Sequence, residues 1–133
     1  MQCPATSPKA EGVPLYWILD SRRRFVTHTA EDDLTRDDLM AYFDVIEGTA
    51  TYGWRKLFDA REARLAMTSE DLMAIGARLR EIHGRAPHGP MAVVTPRIKS
   101  ESFSRLLGFI AAADRQTRVF QELEPARQWI LST

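Results

Sequence analysis

The chain has 133 residues, of which 44% are hydrophobic and 27% charged, the size and make-up of one globular domain with one core. Its 18 Lys and Arg balance 18 Asp and Glu, so no overall field draws it onto nucleic acid or an anionic membrane. The longest apolar runs, such as Leu15–Leu19 and Met91–Val94, fall far short of the ~20 residues a membrane span requires.

Residues 1–14, MQCPATSPKAEGVP, read as a flexible tail, and residues 15–133 as a single α/β domain. The tail has one basic residue, Lys9, and no apolar segment of the kind that opens a secretion signal, so a cytoplasmic setting is expected. Cys3 is the only cysteine and can close no internal disulfide. After the tail, Leu15–Leu19 and Arg24–Thr29 read as two strands joined across the polar stretch Asp20–Arg23, with an antiparallel pairing expected. From there helix and strand alternate: helix 36–49, strand 55–59, helix 69–83, strand 90–95, helix 100–113, strand 117–121 and helix 124–132. The order β-β-α-β-α-β-α-β-α predicts a mixed, mostly parallel five-stranded sheet with packed helices.

The helices rest on spacing. Leu39, Phe43 and Ile46, then Leu72, Gly76, Leu79 and Ile82, then Phe103, Leu106, Leu107 and Ile110 recur at three- or four-residue steps, each set making one apolar stripe. Thr35 with Asp38, and Thr68 with Asp71, place a carboxylate three residues after a hydroxyl, the spacing of a capping box. Gly84 is expected to stop the second helix. Trp129, on the apolar side of the last helix with Ala126 and Ile130, is expected to be largely buried.

Three stretches carry a resemblance. RVFQELEPARQWILS, Arg118–Ser132, resembles the close of many small uncharacterised bacterial proteins of the SpoIIAA-like superfamily, in which Val-Phe is followed by an alanine and a Trp-Leu pair. LFDAR, Leu57–Arg61, and MAVVTP, Met91–Pro96, stand where that group has two of its strands. The similarity spans roughly residues 15–132. The superfamily also holds the STAS domains of anti-sigma factor antagonists and sulphate transporters, and the lipid-binding lobe of Sec14-like proteins. The resemblance implies a binding module, with a protein partner or a second copy of the chain as occupant, and a carrier of a small apolar or anionic ligand as the alternative. STAS antagonists are phosphorylated at a serine that opens the helix after the third strand. This chain departs from that motif: Asp59, Ala60, Arg61 and Glu62 follow Phe58, and the first hydroxyls after them are Thr68 and Ser69. Both are candidate phosphosites, and one of them is required as a helix cap.

Ligands of open parallel sheets sit outside the C-terminal strand ends. That edge is expected to gather His28, Asp32, Asp33 and Arg64, and a candidate anion site of Asp59, Arg61, Thr95, Arg97 and Lys99, beside two helix starts. Asp59 at a strand end has the simpler role of partner to Arg61. The histidines His28, His83 and His88 lack the close spacing of a zinc site. Neither a Gly-rich phosphate loop nor a nucleophile elbow is present, so no catalytic residue, metal or cofactor is assigned and no enzyme activity is expected. Arg22-Arg23-Arg24 reads as a solvated hairpin turn beside acidic neighbours, not a nucleic-acid patch.

Overall fold

A computed structural model describes residues 14–49, 51–97, 100–112 and 116–133. The N-terminal tail with Cys3, and Lys99 of the expected anion site, lie outside the described residues. The elements are β1 (Leu15–Asp20), β2 (Phe25–Leu34), α1 (Arg36–Thr49), β3 (Arg55–Leu65), α2 (Ser69–Arg85), β4 (Met91–Val94), α3 (Glu101–Ala111), β5 (Thr117–Phe120) and α4 (Leu123–Leu131). They form one five-stranded sheet in the order β1-β2-β3-β4-β5, with β1 antiparallel to β2 and the other pairs parallel.

That order decides where the helices go. Each parallel crossover advances one strand in the same direction, and right-handed connections then place α1, α2 and α3 on one face. Alternation assigns the side chains. His28, Lys56, Phe58, Ala60, Met91 and Val93 point to the three-helix face, where they meet Leu39, Tyr42, Phe43, Ile75, Leu79, Ile82, Phe103 and Leu106 in the main core. Phe25, Leu57, Ala92 and Val94 point the other way and are closed over by Ala126 and Ile130 of α4. Because both faces of β4 are covered, all four of its residues are buried, as an apolar run in a parallel sheet requires.

Both capping boxes form. Thr68 Oγ1 accepts from Asp71 N at 3.1 Å while Asp71 Oδ2 accepts from Thr68 N at 3.0 Å, and Thr35 and Asp38 make the same exchange at the start of α1. Ser100 caps α3 through Phe103 N at 3.1 Å.

Four expectations are corrected. Gly84 does not stop α2, which runs to Arg85. The stop comes from Pro87, whose ring forces Ala86 into extended backbone (φ −160°, ψ 155°). Trp129 is half-buried: Ala126 and Ile130 reach the sheet, while the indole lies at the rim against Phe120, with the Arg118 guanidinium over its ring. His28 is not on a strand-end loop but 1% exposed within β2, its ring against the Tyr42 hydroxyl. Finally, β2 and β3 outrun the expected ends at residues 29 and 59, reaching Leu34 and Leu65. In β3, exposed Glu62 and Arg64 flank Ala63, and in β2 exposed Asp32 and Asp33 precede Leu34; Ala63 and Leu34 are buried in the main core, so these charges lie on the outer side of a ribbon and not in a loop.

Candidate functional site

The extended β2–β3 ribbon shapes the C-terminal edge. Its register shifts between Thr29 and Glu31, a β-bulge. The shift has a local cause: Arg61 N donates to Asp59 Oδ1 at 3.2 Å, two residues back on its own strand. The same carboxylate holds the Arg61 guanidinium in a two-pronged pair, Nε to Oδ1 and Nη2 to Oδ2, both at 2.9 Å. The hydrogen bond to Asp59 raises the Arg61 pKa above its ordinary value, against the opposing cost of burial. Arg97 N donates to Arg61 O at 3.1 Å, and Arg97 Nε pairs with Glu62 at 2.8 Å. Arg64 pairs with Asp33 at 2.9 Å across the ribbon. Thr95 is 8% exposed, its amide donating to Phe120 O. Asp59, Arg61, Thr95 and Arg97 are therefore gathered at one edge, with each arginine already facing a carboxylate. Of the two hydroxyls at the start of α2, Thr68 is the cap, and Ser69 Oγ accepts from Arg105 Nη1 of α3 at 3.2 Å.

A different feature lies under the three helices. Between α1, α2, α3 and the sheet lies a cleft with a cavity volume of about 60 Å³. Its walls are apolar, with Phe43, Phe58, Leu79, Val93 and Leu106 among them. Ile46, His83, His88 and Ile110 are its half-buried members and so mark its mouth, toward the N-terminal ends of β3 and β4.

Polar groups at that end are organised by one turn. Lys56, 2% exposed, sends Nζ to the carbonyls of Thr51 at 2.7 Å and of Tyr52 and Trp54 at 3.3 Å. Three carbonyl oxygens match the three donors of an ammonium, which is what lets a lysine sit in an apolar wall. Gly89 locks the same turn from the other side, its amide donating to Tyr52 O at 2.9 Å. The next residue back, His88, contacts Ile82 O through Nε2 at 3.2 Å and stands edge-on to both His83 and Tyr52, at 4.6 and 5.2 Å between ring centres. Beside the mouth, Arg78 of α2 reaches Asp44 and Glu47 of α1, and Arg85 also meets Glu47, tying the two helices together.

Sequence reasoning placed its site residues at the strand C-termini; the carrier alternative required a pocket between helices and sheet, but no residue was assigned to it. One signal for it was present: Lys56 shares strand parity with Phe58 and Ala60, a lysine on an inward face, which is rare without dedicated partners.

No family model and no curated protein matches the chain. Among solved structures it is similar to an uncharacterised protein of the DUF3478 family from Shewanella loihica PV-4, described as having a SpoIIAA-like fold. The TM-score is 0.58 at 13% identity, over 93% of this chain and 99% of that one. The fold is SpoIIAA-like: a mixed five-stranded α/β sheet with four helices in the order expected from the sequence. Among the described residues no helix is long and apolar enough to cross a membrane.

Proposed function

We propose that the protein is a non-enzymatic binding module whose ligand is a small, mainly apolar molecule held between α1–α3 and the sheet. The observation that supports this reading is the cleft itself. Its cavity volume of about 60 Å³ is several times the ~10–15 Å³ that admits one water, and a fully close-packed core would leave no such space. A cavity of that size favours a small body, such as a short acyl chain or a single ring, with a polar end at the mouth beside His83 and His88.

Thermal unfolding in the presence of hexanoate, octanoate and indole tests this. A ligand of the native state at one hundred times its Kd stabilises by about 2.7 kcal/mol, so at least one probe should raise the Tm of the wild type. Ile110→Trp, which fills the mouth from a half-buried position, should abolish the rise while leaving the unliganded Tm close to wild type. No rise with any probe, or equal rises in both proteins, defeats the reading.

One contact favours a second reading, a regulated protein-binding face around Ser69. A phosphate there would stand at the positive end of α2 with the Arg105 guanidinium beside it. Ser69→Asp should keep the fold and change affinity for a partner protein; unchanged affinity leaves Ser69 as a helix-start residue.

A further inference from the structure

The two edges of the sheet are built differently. β5, at one edge, is four residues long and carries Arg118, and short, charged strands are how proteins blunt an edge. β1, at the other, is LYWILD. It has no Pro or Lys, is followed by no covering strand among the described residues, and exposes Ile18 to 56%. On the α4 side, Tyr16 and Ile18 lie beside Thr27 and Thr29. α4 packs on β3, β4 and β5.

The hydrogen-bond phase of β1 follows from one contact. Glu31 N donates to Pro14 O at 2.8 Å, and Pro14 and Glu31 continue the antiparallel register in which Leu15 faces Ala30 and Tyr16 faces Thr29. Narrow hydrogen-bonded pairs recur every second residue. Tyr16, Ile18 and Asp20 therefore turn their backbone groups toward β2, and Leu15, Trp17 and Leu19 turn theirs outward.

Charge is distributed along β1 in an equally ordered way. At its C-terminal end the hairpin carries exposed Arg22, Arg23 and Arg24, of which Arg23 is bridged to Asp20; beside its N-terminal end β2 carries exposed Asp32 and Asp33, of which Asp33 is bridged to Arg64. A two-fold axis through Trp17 lays the basic end of each copy against the acidic end of the other.

We propose that β1 is a self-complementary docking edge, pairing antiparallel with β1 of a second copy to continue the sheet through a two-fold axis at Trp17. Leu15 then faces Leu19 of the second copy, and Trp17 faces Trp17. All three outward-facing residues of each strand are hydrogen-bonded, a match that a register shifted by two residues does not achieve. Tyr16 of each copy packs on Ile18 of the other in the more closely spaced type of pair. The contact is isologous, so it closes as a dimer and does not propagate. It lies away from the cleft under the helices and does not depend on that cleft being a ligand site.

Sedimentation equilibrium of the full chain should give a dimer whose dissociation constant rises with salt, as screening weakens the basic-to-acidic contact. Ile18→Lys should raise that constant about a hundredfold or more, since the symmetry repeats the loss of a buried Ile. A double charge reversal, Arg22→Glu with Arg23→Glu, should weaken the dimer and flatten its salt dependence. Both variants should unfold with the wild-type monomer's denaturant slope, since Ile18, Arg22 and Arg23 are exposed. The register is read by Tyr16→Cys with Ile18→Cys in a Cys3→Ser background: mild oxidation should give a covalent dimer, and either cysteine alone should give none. A monomeric full chain, or a dimer indifferent to Ile18→Lys, overturns the proposal. So does a monomer that dimerises only when residues 1–13 are removed, which would assign the edge to the chain's own N-terminal segment.

Discussion

Replacing Gly89 by alanine puts one methyl group where the fold has no room for it. A Cβ built there stands 2.4 Å from Trp54 O, 2.5 Å from Gly53 O and 2.8 Å from Gly53 C, and all three are backbone atoms, so no side chain can swing aside. Restoring ordinary contact requires the 52–54 turn to retreat by about an ångström. That retreat lengthens the Gly89 N to Tyr52 O bond and loosens the carbonyls that hold Lys56 Nζ. Forcing a methyl into close-packed surroundings costs about 1–3 kcal/mol, and a weakened buried hydrogen bond adds about 1 kcal/mol. Restricting the unfolded chain returns roughly 0.4–1 kcal/mol. The balance is a loss of about 1–3.5 kcal/mol, which for a chain of this size lowers Tm by roughly 4–13 °C. Urea unfolding followed by circular dichroism measures it, with an unchanged denaturant slope showing that the change is in stability. A double-mutant cycle with Lys56→Met should be non-additive, because both changes act on one turn. Stability of Gly89→Ala within about 0.5 kcal/mol of wild type would refute the reasoning, since the turn would then not be closed against Gly89.

Gly108 is the contrasting case: it sits in α3 with nothing within 4 Å of its built Cβ, so Gly108→Ala should stabilise by about 0.5–1 kcal/mol in the same urea assay. Thr68→Ala removes one half of a capping box and should cost about 0.5–2 kcal/mol, whereas Ser69→Ala should stay within about 0.5 kcal/mol of wild type; equal losses would mean that the cap is misassigned. Ile130→Ala should cost about 2–5 kcal/mol because the side chain is fully buried under the sheet. Trp129→Ala should cost less than that, and a ranking reversed by chemical denaturation would place the indole in the core.

The element order, the apolar stripe of each helix and both capping boxes were legible in the sequence because they rest on spacings of two to four residues along a single segment. Leu72, Gly76, Leu79 and Ile82 can share only one face of a helix, and Thr68 with Asp71 can meet only across its first turn. The resemblance of Arg118–Ser132 and its companion stretches pointed to the fold for the same reason, since it is carried by short local patterns. Tertiary structure alone decided the spatial order of the strands, their register and how far β2 and β3 run. The charges after Phe58 looked like a loop until pairing with β2 showed them to be the outer side of a ribbon, with Asp59 hooking the Arg61 amide and shifting the register. At the edge where the sequence suggested room for an anion, Arg61 is held by Asp59 of its own strand and Arg97 by Glu62. The cleft near Lys56, His83 and His88 likewise depends on three helices from distant segments meeting over one sheet face. The place of β1 at one edge of the sheet was settled the same way, by strand order. Such features arise from distances between segments, which one-dimensional periodicity does not encode.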